Sequence, residues 1–259
     1  MKAPAFDYAK PRTLAEVFAL LREHGDDARV LAGGQTLLAT LNMRLSEPRP
    51  VSYTHLEHAP LQAPAAPHIA HRAFLNSGTW GGSIAYGDPA AEWPCCLVAL
   101  DGVVHVQGPQ GARRIAATDF FQDLYTTALQ PDELVTGADL PVAARGDWFG
   151  FDELSRRHGD YAVAGLAVAA RFDGAVATRV NLGFLGVGAT PVRPRRTEAL
   201  LSGQVLDAAA IEAAAATLKA ELDPVGDLTS NADTKRHLAS VLLRRLLGAA
   251  RAGRSALAA

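Results

Sequence analysis

Residues 76–94, NSGTWGGSIAYGDPAAEWP, set Gly78, Gly81 and Gly82 among small residues and follow them with two carboxylates four positions apart, Asp88 and Glu92. Glycine lets a backbone come close to a ligand, and a loop that runs into a helix offers free N–H groups and the positive end of a dipole. That combination suits a phosphate. Asp88-Pro89 has a plainer explanation as a helix start, because Asp accepts from free N–H groups and Pro is pre-set for the first helical position. Glu92, one turn further on, is unwelcome beside a phosphate unless it binds hydroxyls, as on a ribose or ribityl chain.

A second glycine pair stands in ARVLAGGQTLLATLNMRL, where a short β-type stretch at 28–32 meets Gly33 and Gly34 and a helical pattern opens near Thr36. Alone, this strand, turn and helix reads equally well as a tight turn, since it is neither a Rossmann fingerprint nor a Walker loop. Two such loops gripping one pyrophosphate from both sides make better sense than two unrelated anion sites.

Other chemistry is thinly represented. There is no G-x-S-x-G and no H-E-x-x-H, so a cofactor would carry any catalysis. The two cysteines, Cys95 and Cys96, are adjacent in an apolar run and read as buried thiols, so an iron–sulfur centre would have to sit on another chain. His55, His58, His68 and His71 form two H-x-x-H spacings with no third ligand type nearby, and no metal site is assigned to them.

The elements that must position these groups follow from periodicity. Thr13 and Glu16 predict a capping box for a helix over 13–23 with Gly25 as its stop. Residues 47–67 are proline-rich and read as loop or linker, while 95–115 read as strands joined at Asp101-Gly102 and at the turn 108–111. A short helix is expected over 119–125, an edge strand in DELVTGADLPV, and a break near 143–147. Beyond it, two apolar β-runs are joined by Asp173-Gly174, and helical patterns cover 195–202, 207–221 and 232–251.

Bulk properties narrow the partners. The 259 residues are 49% hydrophobic and 20% charged with a net charge of −2, which gives no electrostatic reason to bind nucleic acid or an anionic membrane. No run is long enough to span a bilayer, and MKAPAFDYAKPRT lacks a signal-peptide core, so the cytoplasm is expected.

VLAGGQTLLATLNMRL and NSGTWGGSIAYGDPAAEWP, followed by FDELSRRHGDYAVAG, GATPVRPRRTEALLSG and GDLTSNADTKRHLASVLLRRLL, resemble the FAD-binding medium subunit of the molybdenum hydroxylases, the carbon monoxide dehydrogenase and xanthine dehydrogenase family. The resemblance implies an α+β fold: a two-part FAD-binding domain of the vanillyl-alcohol oxidase or PCMH type, then a C-terminal domain of antiparallel strands and a helical bundle. The boundaries expected are 1–145, with subdomains of about 1–50 and 51–145, then 146–253, with a tail at 254–259. It further implies a heterotrimer-based complex. A large subunit holds molybdopterin, a small one carries 2Fe–2S clusters, and FAD on this chain passes electrons to an external acceptor.

Carried over by position, Leu31, Ala32, Gly33, Gly34, Gln35, Thr36 and Leu37 would wrap the FAD pyrophosphate, and Thr79, Gly81, Gly82 and Ser83 would grip it from the second side. Ile84 and Ala85 would continue along the cofactor, Glu92 would meet its hydroxyls, and Asp88 and Ile69 would lie beside it. Arg157, Asp160 and Tyr161 fall in the segment that approaches the isoalloxazine ring. Two departures stand out. Asp152 occupies the place of a flavin-contacting lysine of the xanthine dehydrogenase branch, which argues against a xanthine-type NAD outlet. At RPVSYTHLEH the family's strand, hairpin and second strand are missing; because loss of paired strands would orphan ladder donors, residues absent from the chain as read are favoured over a true deletion. A self-sufficient flavin oxidase of the related vanillyl-alcohol type and a FAD-free assembly scaffold are the competing readings. The first lacks a substrate cap, and the glycine loops speak against the second.

Overall fold

The computed structural model describes residues 9–25, 28, 30–32, 61–70, 78–157 and 159–255. Helix α1, Leu14–His24, is capped by Thr13, whose side chain accepts from Glu16 N–H, and ends at Gly25 with φ 49°. Glu16 reaches back to Arg12 N–H at 2.6 Å, so the expected reciprocal cap closes one residue earlier than the usual box. The linker expectation for 47–67 fails at its end: Gln62–Ala65 (α2) and a single 3₁₀ turn, Ala66–His68, are helical, with Leu61, Gln62, Ala65 and Ala66 buried. The rest of that segment and Gly33–Thr36 lie outside the described residues.

Next come α3, Trp80–Tyr86, and α4, Glu92–Ala99. The strand expected from Cys95 onward is therefore wrong: Cys95–Ala99 is helix. This run is apolar on every side because α4 is buried on every side. Cys95, Cys96 and Ala99 pack with Phe151, Ala167, Ala169 and Leu185, while Leu97 and Val98 pack with Ile84, Val104, Val106 and Phe120. A helix with no polar face carries no period to separate it from a core strand.

Strands β1, Val103–Gly108, and β2, Gly111–Ala116, form the expected hairpin. The helix expected over 119–125 is displaced: α5 is Ala117–Phe120, and the chain then turns extended as β3, Phe121–Asp123, paired with β4, Thr126–Thr127. β5, Leu134–Asp139, closes the sheet β2-β1-β5 at its edge, as expected.

β6, Asp147–Leu154, begins where the break expected at 143–147 ends, in a stretch to which the sequence assigned no element, and opens the second sheet. β7, Ala164–Asp173, and β8, Val176–Leu185, form the hairpin expected at Asp173-Gly174, and β9, Gln204–Val205, completes the order β6-β7-β8-β9. Helices α6, Arg195–Leu201, α7, Ala208–Glu221, and α8, Ala232–Ser255, match the three expected patterns. Alternation assigns the faces: Leu166, Val168, Ala170, Leu182 and Phe184 meet the helices, and Ala167, Ala169 and Leu185 meet α4. Covered on both faces, β7 is buried along most of its length.

The two sheets are joined through α4. A Cβ at Gly183 would stand 2.6 Å from the Cys95 carbonyl oxygen, so only glycine lets α4 lie this close to β8. Buried Arg193 donates to the Val98 carbonyl at 2.9 Å and to Asp101 at 2.6 Å while paired with buried Glu198, which also accepts from Leu182 N–H at 2.7 Å and from Arg195 at 3.4 Å. One guanidinium thus ties the end of α4 to β8 and α6. Among the described residues, no helix is long and apolar enough to cross a membrane.

Candidate functional site

Thr79 is extended and its side chain accepts from Gly82 N–H at 3.0 Å, which starts α3 with Trp80, Gly81 and Gly82 in its first turn. The glycines are therefore the opening of a helix rather than a loop before one. Their surroundings differ. A Cβ at Gly82 would come within 2.7 Å of Thr79 Oγ1 and 3.4 Å of Ala32 Cβ, whereas a Cβ at Gly81 would meet nothing within 4 Å. Ala32 belongs to the first glycine segment, so the two segments that sequence alone could only pair by inference do meet, at Ala32 and Gly82. Gly81 faces open space beside that meeting point.

Leu31 and Ala32 are exposed, Ser83 and Ala85 half-buried; Gly33, Gly34, Gln35, Thr36 and Leu37 lie outside the described residues. Ile84 is fully buried among Leu97, Val104 and Phe120, so its side chain serves the core and only its backbone is left to line a site. Ile69 ends the 3₁₀ turn, half-buried.

The cap expected at Asp88 is corrected. Its Oδ1 accepts from Ala90 N–H at 2.8 Å and its carbonyl from Ala91 N–H, which makes a turn; α4 begins only at Glu92, after Ala91, with no side-chain cap. Pro89 is thus in the turn, not in the helix, and its carbonyl accepts from Gly186 N–H at 2.9 Å, tying the turn to the end of β8. Glu92 is the first residue of its helix rather than one turn into it. Burial pushes its carboxyl up to about 7, and Asp88 adds to the rise. A carboxyl poised there both accepts from and donates to hydroxyls.

The second half contributes Tyr161, 73% exposed, and the exposed turn of Arg157 and Asp160, in which Asp160 N–H donates to the Arg157 carbonyl at 3.1 Å. The protein around its hydroxyl and the Asp88 carboxylate push the Tyr161 phenol upward, with Tyr125 and Tyr86 adding, and its 73% exposure keeps that rise modest. Tyr86 and Tyr125 lie with ring centroids 5.1 Å apart, both exposed, and Tyr125 holds φ 52°. Sequence reading missed both. Nothing marks them in the chain, since an exposed tyrosine is ordinary until three from separate elements surround one carboxylate.

Also missed was Glu153. Along β6, Asp152 turns to the helices, where Arg245 donates to it at 2.6 Å, while Phe151 and Glu153 face α4 and α2. Burial pushes Glu153 up to about 8, with Glu92 and Asp152 adding. Cys95 and Cys96 are fully buried and free, as expected, with burial holding their thiols far above the usual range; Cys95 Sγ donates to the Gly183 carbonyl at 2.9 Å. They offer no nucleophile. Among the described residues no His, Cys, Asp and Glu group can hold a metal.

Two family models meet within the chain. One, described as the FAD-binding domain in molybdopterin dehydrogenase, matches residues 50–143, and the other, the CO dehydrogenase flavoprotein C-terminal domain, matches 149–250. The chain is 34% identical over 279 aligned positions to the nicotine 6-hydroxylase medium subunit of Paenarthrobacter nicotinovorans, covering 95% of this chain and 98% of the relative. It is 31% identical to the carbon monoxide dehydrogenase medium chain of Afipia carboxidovorans, covering 96% and 97%. The structure of carbon monoxide dehydrogenase from Hydrogenophaga pseudoflava, lacking its Mo-pyranopterin moiety, superposes with a TM-score of 0.90 at 31% identity over 97% of this chain and 99% of that one. The 279 aligned positions exceed the 259 residues present, so the relative carries residues inside the aligned span that this chain lacks. The sequence runs unbroken through RPVSYTHLEH, and the favoured explanation of missing residues gives way to a shortening of the chain itself.

Proposed function

We propose, on the premise that the chain belongs to the FAD-binding medium subunits of the molybdopterin dehydrogenases, that it is the flavin-bearing subunit of a molybdenum hydroxylase complex, an oxidoreductase. Its partners are a large molybdopterin subunit and a small iron–sulfur subunit. The observation that supports the FAD reading most directly is the approach of Ala32 to Gly82 beside the open space at Gly81, within the span matched by the FAD-binding domain.

The residues present suit the cofactor. A Cβ at Gly82 would press on Thr79 and Ala32 and part the two segments, and Gly81 leaves room where a pyrophosphate needs backbone approach. The N–H groups of Trp80 and Gly81, in the first helical turn, have no acceptor within the helix, so they would hold phosphate oxygens together with Ala32, Gly33 and Gly34. Thr79, already accepting from Gly82, fixes that turn and keeps its hydroxyl proton to donate. Ser83, the Ile84 backbone and Ala85 would follow along the cofactor, Glu92 would take a hydroxyl, and Ile69 and Asp88 would flank it. Tyr161, with Asp160 beside it, would cover the ring from the second half, where its exposed face is free to stack. When bound, FAD takes electrons singly from a cluster and releases them in pairs. This chain's own part is to bind, orient and shield it.

The divisions we assign are 1–145 for FAD binding and 146–253 for the second domain, with a tail at 254–259; we place the complex in the cytoplasm. Reconstitution tests the reading. The yellow chain mixed anaerobically with substrates of molybdenum hydroxylases keeps its flavin oxidised, and bleaches only when both partner subunits are added. Bleaching by substrate without them would instead make it a self-sufficient oxidase.

A further inference from the structure

Gln62 on α2 and Glu153 on β6 are both buried on elements that pack against each other and against α4, and the FAD reading uses neither of them. Gln62 is 3% exposed, and neither its Nε2 nor its Oε1 has a hydrogen-bond partner. The Glu153 side chain is 4% exposed; its Oε2 has no partner, and its Oε1 lies 3.7 Å from His68 Nδ1, beyond hydrogen-bond reach. His68 is held edge-on to Phe151, ring centroids 5.2 Å apart. Glu92 faces Glu153 from α4, Asp152 adjoins it on β6, and Cys95 feels both Glu92 and Glu153.

Buried amides and carboxyls are almost never left without partners, so these three orphan atoms on packed neighbouring elements call for a partner that the side chains do not supply. Its chemistry follows from the walls. A bound metal is unsuited, because no three ligating groups converge among the described residues. An anion is repelled by Glu92 and Asp152. A neutral molecule that both donates and accepts satisfies Gln62 and Glu153 together, and the apolar surroundings of Leu61, Ala65, Phe151 and Ala162 offer no competing polar partner.

We propose that Gln62, Glu153, His68 and Glu92 enclose an internal site that holds water and one proton, with Glu153 standing as a neutral carboxylic acid at physiological pH. Two facing carboxyls do not both ionise unless a cation is held against them; His68 Nδ1 stands 3.7 Å from Glu153 with no hydrogen bond to it, and the proton resides on the carboxyl with fewer partners. Glu153 Oε2–H then donates to the water, which donates to Gln62 Oε1, and Gln62 Nε2 donates in turn. Because Glu92 also fronts the cofactor, the store lets that wall change charge by one as the bound group does; this purpose rests on the FAD reading, while the site itself does not.

Infrared spectroscopy of the full chain, freed of flavin, tests it. A protonated-carboxyl C=O band that shifts on exchange into D₂O is expected at pH 7, fading as the pH passes about 8 and absent in Glu153→Gln. In Glu92→Gln the band should persist and fade at lower pH, since one of the charges opposing ionisation is gone. Gln62→Leu should shift its frequency by removing the water's second anchor. No band at pH 7, or a band kept in Glu153→Gln and lost in Glu92→Gln, overturns the proposal; an unshifted band in Gln62→Leu overturns the bound water. A chain that shows the band but takes up no FAD contradicts the flavin reading alone, and the reverse pattern contradicts the proton store alone.

Discussion

Gly81 and Gly82 are neighbours with opposite constraints, and the difference separates folding from binding. At Gly82 a methyl would meet Thr79 Oγ1 at 2.7 Å, so Gly82→Ala should both disturb the cap of α3 and lower FAD affinity. At Gly81 a methyl meets nothing, and Gly81→Ala should leave the flavin-free chain as stable or more so by about 0.5–1 kcal/mol, because alanine favours helix. With the pyrophosphate in that space, FAD affinity in Gly81→Ala should nonetheless drop at least roughly tenfold, about 1.4 kcal/mol, read by fluorescence titration; unchanged affinity would move the cofactor elsewhere. Buried carboxyls give a second test. Glu92 and Glu153 sit above the ordinary value of 4.5, at about 7 and about 8, so the folded state binds their protons more tightly than the unfolded one. Stability therefore falls as pH rises from about 5 to 8 and levels above, and the thermal midpoint in Glu153→Gln should fall less over that window. A midpoint equally steep in the variant would exclude Glu153 as a source. Gly82 and Glu92 stand out in the sequence because a glycine pair and an acid at fixed spacing carry their own logic, whereas Thr79 enters only through the resemblance and its cap of α3 is seen in the structure. Gln62, Glu153, Tyr86 and Tyr125 do not stand out, since their significance lies in which residues from distant elements surround them.

Elements announced themselves when they kept one wet face. α1, α6, α7 and α8 followed their apolar stripes and caps, and the β7-β8 hairpin followed its Asp-Gly turn. α4 did not, because burial between the two sheets removes the polar face that gives a helix its period. The Asp88-Pro89 signal was real but belonged to the turn that docks on Gly186, one short step before the helix. β6 was missed because Trp148, Gly150 and Asp152 face the helices and Phe149, Phe151 and Glu153 face α4, so apolar residues fall on both sides without alternation. The joint among these elements is Arg193. Arg193→Met should cost about 3–5 kcal/mol in denaturant unfolding, because it leaves buried Glu198 only the Leu182 N–H and a 3.4 Å contact to exposed Arg195 and frees the end of α4. A loss below about 1 kcal/mol would show that packing of α4 alone holds the halves together.

Over the whole molecule, the second half does more than stand beside the first. It lays the floor under α4 and brings Tyr161 within electrostatic reach of Asp88, Tyr86 and Tyr125, so residues of both halves border the proposed site. Composition already argued that the redox centres other than flavin lie elsewhere, since two buried, protonated thiols cannot ligate a cluster. Stoichiometric FAD held between Ala32 and Gly81–Gly82 is the central claim, and the visible spectrum of the purified chain after incubation with FAD and gel filtration tests it most directly. A flavin spectrum at one FAD per chain in the wild type, and a colourless but folded Gly82→Asp, is the result expected; a colourless wild type, or a Gly82→Asp chain that stays fully yellow, would contradict it.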